Sequence, residues 1–271
     1  MRDRGWTRAL LVPGAMFFIA FFLLPMARLA VIGASGRDGL AAYAAIVTDA
    51  TYRSALVATL AVAAATTAIT LVVSGVAGVF LQRNRFRGRS LLLALLTLPL
   101  AFPGVVVGFL VIMLAGRQGL IGTITNLAFG HRVVFAYSLT GLLTGYVYFS
   151  IPRTILTLVA AAEKLDPRLP EAARSLGASG WRIVVDVLIP GLKPALLSAG
   201  AICFATAVGA FGTAFTLATR IDVLPMVIYT EFTLSANIAA AAALSFVLGA
   251  VAWAVLAAGR SFAGSTVAAA G

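Results

Sequence analysis

The sequence predicts an all-α, polytopic membrane protein with six transmembrane helices and both termini in the cytoplasm. Three observations carry that expectation. Charged residues make up 11% of the 271 positions and hydrophobic ones 61%, whereas a soluble domain carries about 25% charged residues. Six apolar runs are about 20 residues long or close to it, the length a bilayer requires. Lys and Arg are also distributed unequally among the segments that join those runs, as in proteins whose cytoplasmic loops hold the positive charge.

The first run is Ala9–Ala27, with an apolar tail to Ala34. Arg2, Arg4 and Arg8 precede it, as they would a signal peptide. The run is long for a signal, however, and no small-x-small cleavage site follows, so a retained helix is expected. The others are Ser54–Leu81, Ser90–Ala115, Val133–Ile151, Pro194–Ala218 and Ile238–Ala258. An apolar helix continuing the fourth past Arg153 to Ala162 is the alternative to a loop starting there. Gly104-x-x-x-Gly108 and Gly141-x-x-x-Gly145 put small residues on one helix face and permit close approach. Pro25, Pro99, Pro103 and Pro152 mark either bent packing or irregular backbone beside a pathway.

Fourteen of the twenty Lys and Arg residues fall on one side: Arg2, Arg4, Arg8, the run Arg83, Arg85, Arg87 and Arg89, then Arg153, Lys164, Arg168, Arg174, Arg182, Lys193 and Arg260. The other side receives Arg28, Arg37, Arg53, Arg117, Arg132 and Arg220. The richer side is cytoplasmic. This bias and the shortage of acids account for the net charge of +11. The Arg83–Arg89 run therefore reads as a loop facing lipid headgroups, and no nucleic-acid partner is expected.

Several chemistries are excluded. His131 is the single histidine and Cys203 the single cysteine, so neither a metal site nor a disulfide is expected. Cys203 reads as a small packing residue. None of the nine acids falls inside an apolar run, whereas ion-coupled carriers bury acids to hold the coupling ion. No nucleophile–base set suggests an enzyme, and no catalytic residue is assigned. The two lysines, Lys164 and Lys193, follow Glu163 and Leu192 rather than the glycine of a P-loop. Any ATP must therefore be bound by another subunit, and the chain itself needs no cofactor.

The longest polar interlude is RLPEAARSLGASGWRIVVDVLIPG, Arg168 to Gly191. Pro170 suits the start of a helix, Glu171 favours its positive end, and Ala172 and Ala173 propagate it. Gly177 suits the left-handed turn that closes it. Ser179 caps a second helix, whose apolar face is Trp181, Val184, Val185 and Leu188. Pro190 is expected to end that helix. The spacing alone fits either a docking device or an amphipathic linker lying on the membrane surface.

The stretch resembles the cytoplasmic docking loop of ABC importer permeases: Glu-Ala-Ala, three residues, Gly, nine residues, then Ile-x-Leu-Pro. Here Glu171-Ala172-Ala173 leads through Arg174 to Gly177, and nine residues later to Val187-Leu188-Ile189-Pro190. Val187 and Ile189 are aliphatic exchanges. Leu98–Gly104, the first span with Pro13-Gly14 and Pro25, and Leu224-Pro225 with Tyr229 extend the likeness.

The resemblance implies a type I ABC importer permease fold. It divides the chain into residues 1–34 with the first helix, a permease core over 54–258 containing a coupling loop at 161–191, and a cytoplasmic tail at 259–271. It implies alternating access, with Glu171, Ala172, Ala173, Arg174, Gly177 and Pro190 as the ATPase-coupling residues. The partners implied are a second permease subunit, identical or not, two cytoplasmic ATPases and an extracytoplasmic binding protein, in the inner membrane of a bacterium. Ser138, Tyr146, Ser150, Thr206 and Thr213 are candidate pathway residues; hydroxyls of this kind are more often ordinary helix-packing groups. The nearest subgroup suggests a polyamine such as spermidine or putrescine, with ferric iron, aminoethylphosphonate, sulfate, molybdate or thiamine as alternatives. The alternative class is an ATPase-independent carrier or channel.

Overall fold

The computed structural model describes residues 4–36, 39–217 and 222–263, with side chains from residue 11 onward. Arg2, Arg37, Arg220, the last residue of the expected fifth span (Ala218) and the tail beyond residue 263 lie outside the described residues, as do the side chains of Arg4 and Arg8.

Helices α1 (Arg4–Phe18) and α2 (Leu24–Gly33) are joined by a π turn, Ile19–Leu23, into one rod. After α3 (Ala41–Thr48), α4 (Ala50–Arg83) starts at Asp49, whose carboxylate accepts the N–H groups of Thr51 and Tyr52. Then come α5 (Arg89–Thr97), a 3-10 turn at Leu98–Ala101, α6 (Gly104–Ala115), α7 (Leu120–Phe129) and α8 (Leu139–Glu163). Next are α9 (Arg168–Ser175) and α10 (Gly180–Ile183), which runs through a second π turn at Val184–Leu188 into α11 (Ile189–Val208). The chain finishes with α12 (Phe211–Leu217), α13 (Leu224–Thr233) and α14 (Ile238–Ala263). The described residues contain no strand. Among the described residues six stretches are long and apolar enough to cross a membrane: Leu11–Gly33, Ala50–Arg83, Gly104–Phe129, Leu139–Glu163, Gly180–Val208 and Ile238–Phe262.

Two spans and the second helix of the polar interlude depart from expectation. Ser90–Ala115 is not one helix. Phe102 is extended at φ −96°, ψ 133°, as the residue before a proline prefers, and the break separates α5 from α6. Beyond α6 the Ala115 carbonyl accepts the N–H groups of both Phe135 and Ala136. Residues 116–134 thus form an excursion that carries α7 and returns.

The second helix of the polar interlude does not end at Pro190 but continues to Val208. The π turn explains this. A proline ring normally collides with the carbonyl four residues back. Here Ile189 donates five residues back, to Val184, and the widened turn seats Pro190. The first rod repeats the device, with Leu24 donating to Ile19 just ahead of Pro25. The expected fifth span, Pro194–Ala218, is instead interrupted at Gly209 and Ala210.

The core forms around α4, with α8 and α11 against it, α14 on α11 and α2 on α14. Thr66, Thr70, Ser74 and Gly78 lie four apart on α4 and are all buried. A Cβ on Gly78 would lie 3.3 Å from the Leu158 Cβ, so α4 and α8 meet nearly backbone to backbone. At the arginine-rich end, Arg89 donates from Nε to the Leu81 carbonyl at 2.7 Å and faces Glu163 at 3.6 Å. The ion pair is solvated, and removing it through Glu163→Gln is expected to cost less than about 1 kcal/mol. Arg89→Ala also leaves a carbonyl at the end of α4 without its donor and is expected to cost more. Thermal unfolding of the two variants in detergent would rank them.

Candidate functional site

The polar interlude folds as a helix, a left-handed turn and a second helix. Pro167 precedes α9, Glu171 lies in its first turn and Arg174 in its last, so each charge favours its own end of the helix dipole. The helix closes on Gly177 at φ +80°. Ala178 donates to the Ala173 carbonyl at 3.0 Å and Gly177 to Arg174 at 2.9 Å. That pair of bonds is the Schellman closure, which requires a left-handed residue at the glycine position. Ser179 then caps the next helix by accepting the Arg182 N–H.

Pro170 is buried under this turn, whereas Leu169, Leu176 and Trp181 are uncovered, Leu176 at 87% and Trp181 at 74% exposure. An exposed apolar patch of this kind is where a partner protein or the membrane surface can be met. Pro190, grouped with the loop in the sequence, lies inside the following helix, eleven residues beyond Ser179.

The five hydroxyl candidates separate in space. Ser138 caps α8, bonding Phe135 and Thr140. Tyr146 donates to the Ala210 carbonyl at 2.7 Å and so satisfies an acceptor freed by the break before α12. Thr213 is buried and donates to the Gly104 carbonyl at 3.0 Å, tying α12 to the start of α6. Ser150 and Thr206 are brought together, on the walls of a groove between α8 and α11 also lined by Arg153, Thr157 and Cys203.

Arg153 has two settings in the sequence, among the cytoplasmic charges or within a helix continuing to Ala162, and the second holds: it lies inside α8, ten residues before the helix ends at Glu163. That is about 15 Å along the axis, half the thickness of a bilayer's hydrocarbon core. The signal available was the apolar pattern continuing to Ala162.

A family model for "Binding-protein-dependent transport system inner membrane component" matches residues 74–263. The chain belongs to that family. It is therefore a multi-pass inner-membrane permease component.

Sulfate permease 2, chloroplastic, of Chlamydomonas reinhardtii is 30% identical over 248 residues, covering 89% of this chain and 66% of that protein. The molybdenum transport system permease protein ModB of Escherichia coli is 34% identical over 154 residues, 55% of this chain and 66% of that one. The permease thus spans just under two thirds of the length of these two relatives. A probable molybdenum ABC transporter permease protein of Haloferax volcanii is 33% identical, with 91% of this chain and 90% of that one aligned.

Among solved structures, a bacterial alginate ABC transporter in complex with alginate pentasaccharide-bound periplasmic protein has a chain that superposes with a TM-score of 0.81 at 18% identity. The superposition covers 96% of the permease and 94% of that chain. The fold is that of an ABC transporter permease.

Proposed function

We propose that this permease lines the passage of an ATP-driven importer for a small tetrahedral oxyanion of the sulfate or molybdate class. The substrates named for these relatives support the oxyanion rather than the polyamine that the sequence first suggested. The complex would pair it with a second permease subunit, two cytoplasmic ATPases and an extracytoplasmic binding protein that selects the substrate. The permease itself binds no ATP.

The observation that carries this reading is the α9 turn, with its charged short helix and uncovered Leu169, Leu176 and Trp181. Such a surface suits a groove on a soluble ATPase, with Glu171 meeting a basic group and Arg174 an acidic one. ATP-driven closure of the ATPases would move α9, and the rigid spans would convert that motion into alternating access.

The experiment is ATP hydrolysis by the complex assembled from this chain, its ATPase and its binding protein. Hydrolysis is expected to rise when the binding protein is loaded with sulfate or molybdate, and the chain alone is expected to hydrolyse nothing. Saturable hydrolysis by the isolated chain, abolished by a point substitution within it, would overturn the reading.

A further inference from the structure

We infer that the groove between α8 and α11 is an oxyanion contact within the passage, with Arg153 as its charged donor and Ser150 and Thr206 beside it. The inference rests on the oxyanion reading above and names the residues that would carry it.

Four observations converge on this groove. The first is depth. Arg153 lies near the middle of a helix that crosses the membrane, with apolar turns on both sides. A permanent cation in that position cannot be left against lipid; it faces a bundle interior or a water-filled cavity.

The second is direction. Side chains on a helix lean toward its N-terminus. Arg153 follows that rule and reaches Thr206, whose Oγ1 accepts from a guanidinium N–H at 3.4 Å. Thr206 lies two residues before the end of α11 at Val208, far from the helix's start at Ile189. The charge is therefore directed away from the nearer, arginine-rich end, where it would otherwise escape into water.

The third is unmet hydrogen-bonding capacity. A guanidinium carries five N–H donors. Among the described residues Arg153 has only the long bond to Thr206 and no acidic partner. The guanidinium lines the groove with its other donors uncommitted, and planar N–H pairs match the oxygens of a tetrahedral oxyanion.

The fourth is Ser150, one turn toward the N-terminus of α8. It lines the same groove at 8% exposure, and its hydroxyl has no hydrogen-bond partner among the described residues. Thr206 already spends its proton on the Ile202 carbonyl at 2.7 Å, and Thr157 spends its own on the Arg153 carbonyl at 2.9 Å. Ser150 is thus the hydroxyl of the groove with a proton free to donate. A guanidinium and an uncommitted serine donor on one wall form a donor-rich surface without a carboxylate. That surface repels cations and gives a passing anion a place to shed part of its water.

The test uses the whole transporter in liposomes, with the binding protein and either sulfate or molybdate as radiolabelled probe. Arg153→Gln is expected to lower uptake per assembled complex roughly tenfold to hundredfold, as loss of a charge-assisted hydrogen bond does. Arg153→Lys is expected to recover part of it. The binding protein, a separate polypeptide, should bind sulfate and molybdate with the same affinity in the parent and variant assays. As a second readout, Thr206→Cys on a Cys203→Ser background is expected to react with a negatively charged, water-soluble thiol reagent. Excess sulfate should slow that reaction.

Wild-type oxyanion uptake matched by Arg153→Gln would overturn the groove while leaving the importer reading intact. So would normal uptake per complex combined with lost pairing of the two permease subunits, because Arg153 would then hold an acid of the partner. A wild-type complex that hydrolyses ATP but carries neither oxyanion would overturn the substrate reading, and the groove with it.

Discussion

Replacing Gly177 with proline is expected to disconnect the permease from its ATPase. Gly177 sits at φ +80° and donates its N–H to the Arg174 carbonyl at 2.9 Å. Proline fixes φ near −65° and has no N–H, so both halves of the α9 closure are lost and Leu176 and Trp181 are re-aimed. The local cost exceeds about 1 kcal/mol, but the functional loss should be larger, because the proposed docking requires α9 to be held at one angle. Transport and co-purification with the ATPase are expected to fall at least about tenfold, while the spans remain folded. A graded series sharpens the test: Gly177→Asn, which tolerates the left-handed region, should keep most coupling, and Gly177→Ala should fall between. Equal transport by all three variants would reduce the segment to a linker.

The second large effect is expected at Gly108. A Cβ there would lie 2.8 Å from the Thr216 Cβ and 3.4 Å from the Thr213 carbonyl oxygen. The clash is with a branch-point carbon, so rotation of Thr216 does not relieve it. Gly108→Val is expected to force α6 and α12 apart at a cost of about 3 kcal/mol, read as a lower unfolding temperature in detergent together with lost transport. Gly75→Ala is the control, because a Cβ at Gly75 meets nothing within 4 Å and alanine favours the helix by roughly 1 kcal/mol. A Gly108→Val chain as stable as the parent would mean that the α6–α12 contact does not hold these two segments together.

These two glycines also show what the sequence made legible. Gly177 could be read locally, because Pro170, Glu171, Ala172 and Ala173 announce a helix and a glycine announces its closure; the structure places that turn as expected. Gly104 and Gly108 announced close approach, and they meet α12 at Thr213 and Thr216. Gly141 carried the same spacing signal for another reason. A Cβ there would strike the carbonyls of Phe135 and Ala136, so it serves the chain's entry into α8 rather than a helix pair.

The backbone irregularities were not legible. Hydropathy sees a run of apolar side chains and is blind to whether a turn is α or π. It therefore missed the break at Gly209 and Ala210, where apolar character continues but the helix does not. The rule that a proline ends a helix is equally blind to a π turn, and it ended a helix at Pro190, where the backbone widens to keep it. Arg153 was legible in part. Its charge pointed to a loop, while the apolar residues on both sides of it pointed to the helix that continues to Glu163. Ser150 and Thr206 were legible as hydroxyls but not as neighbours, since 56 residues separate them and only the antiparallel packing of α8 and α11 joins them.

The most direct measurement of the central claim is uptake of radiolabelled sulfate and molybdate into liposomes containing this permease and its ATPase, with the loaded binding protein added outside and ATP sealed within. Uptake is expected to require ATP and every component and to proceed against a concentration gradient. It should stop when Gly177→Pro replaces the parent chain. Uptake by this chain alone, running down a gradient and indifferent to ATP, would contradict the account and identify an ATPase-independent carrier or channel.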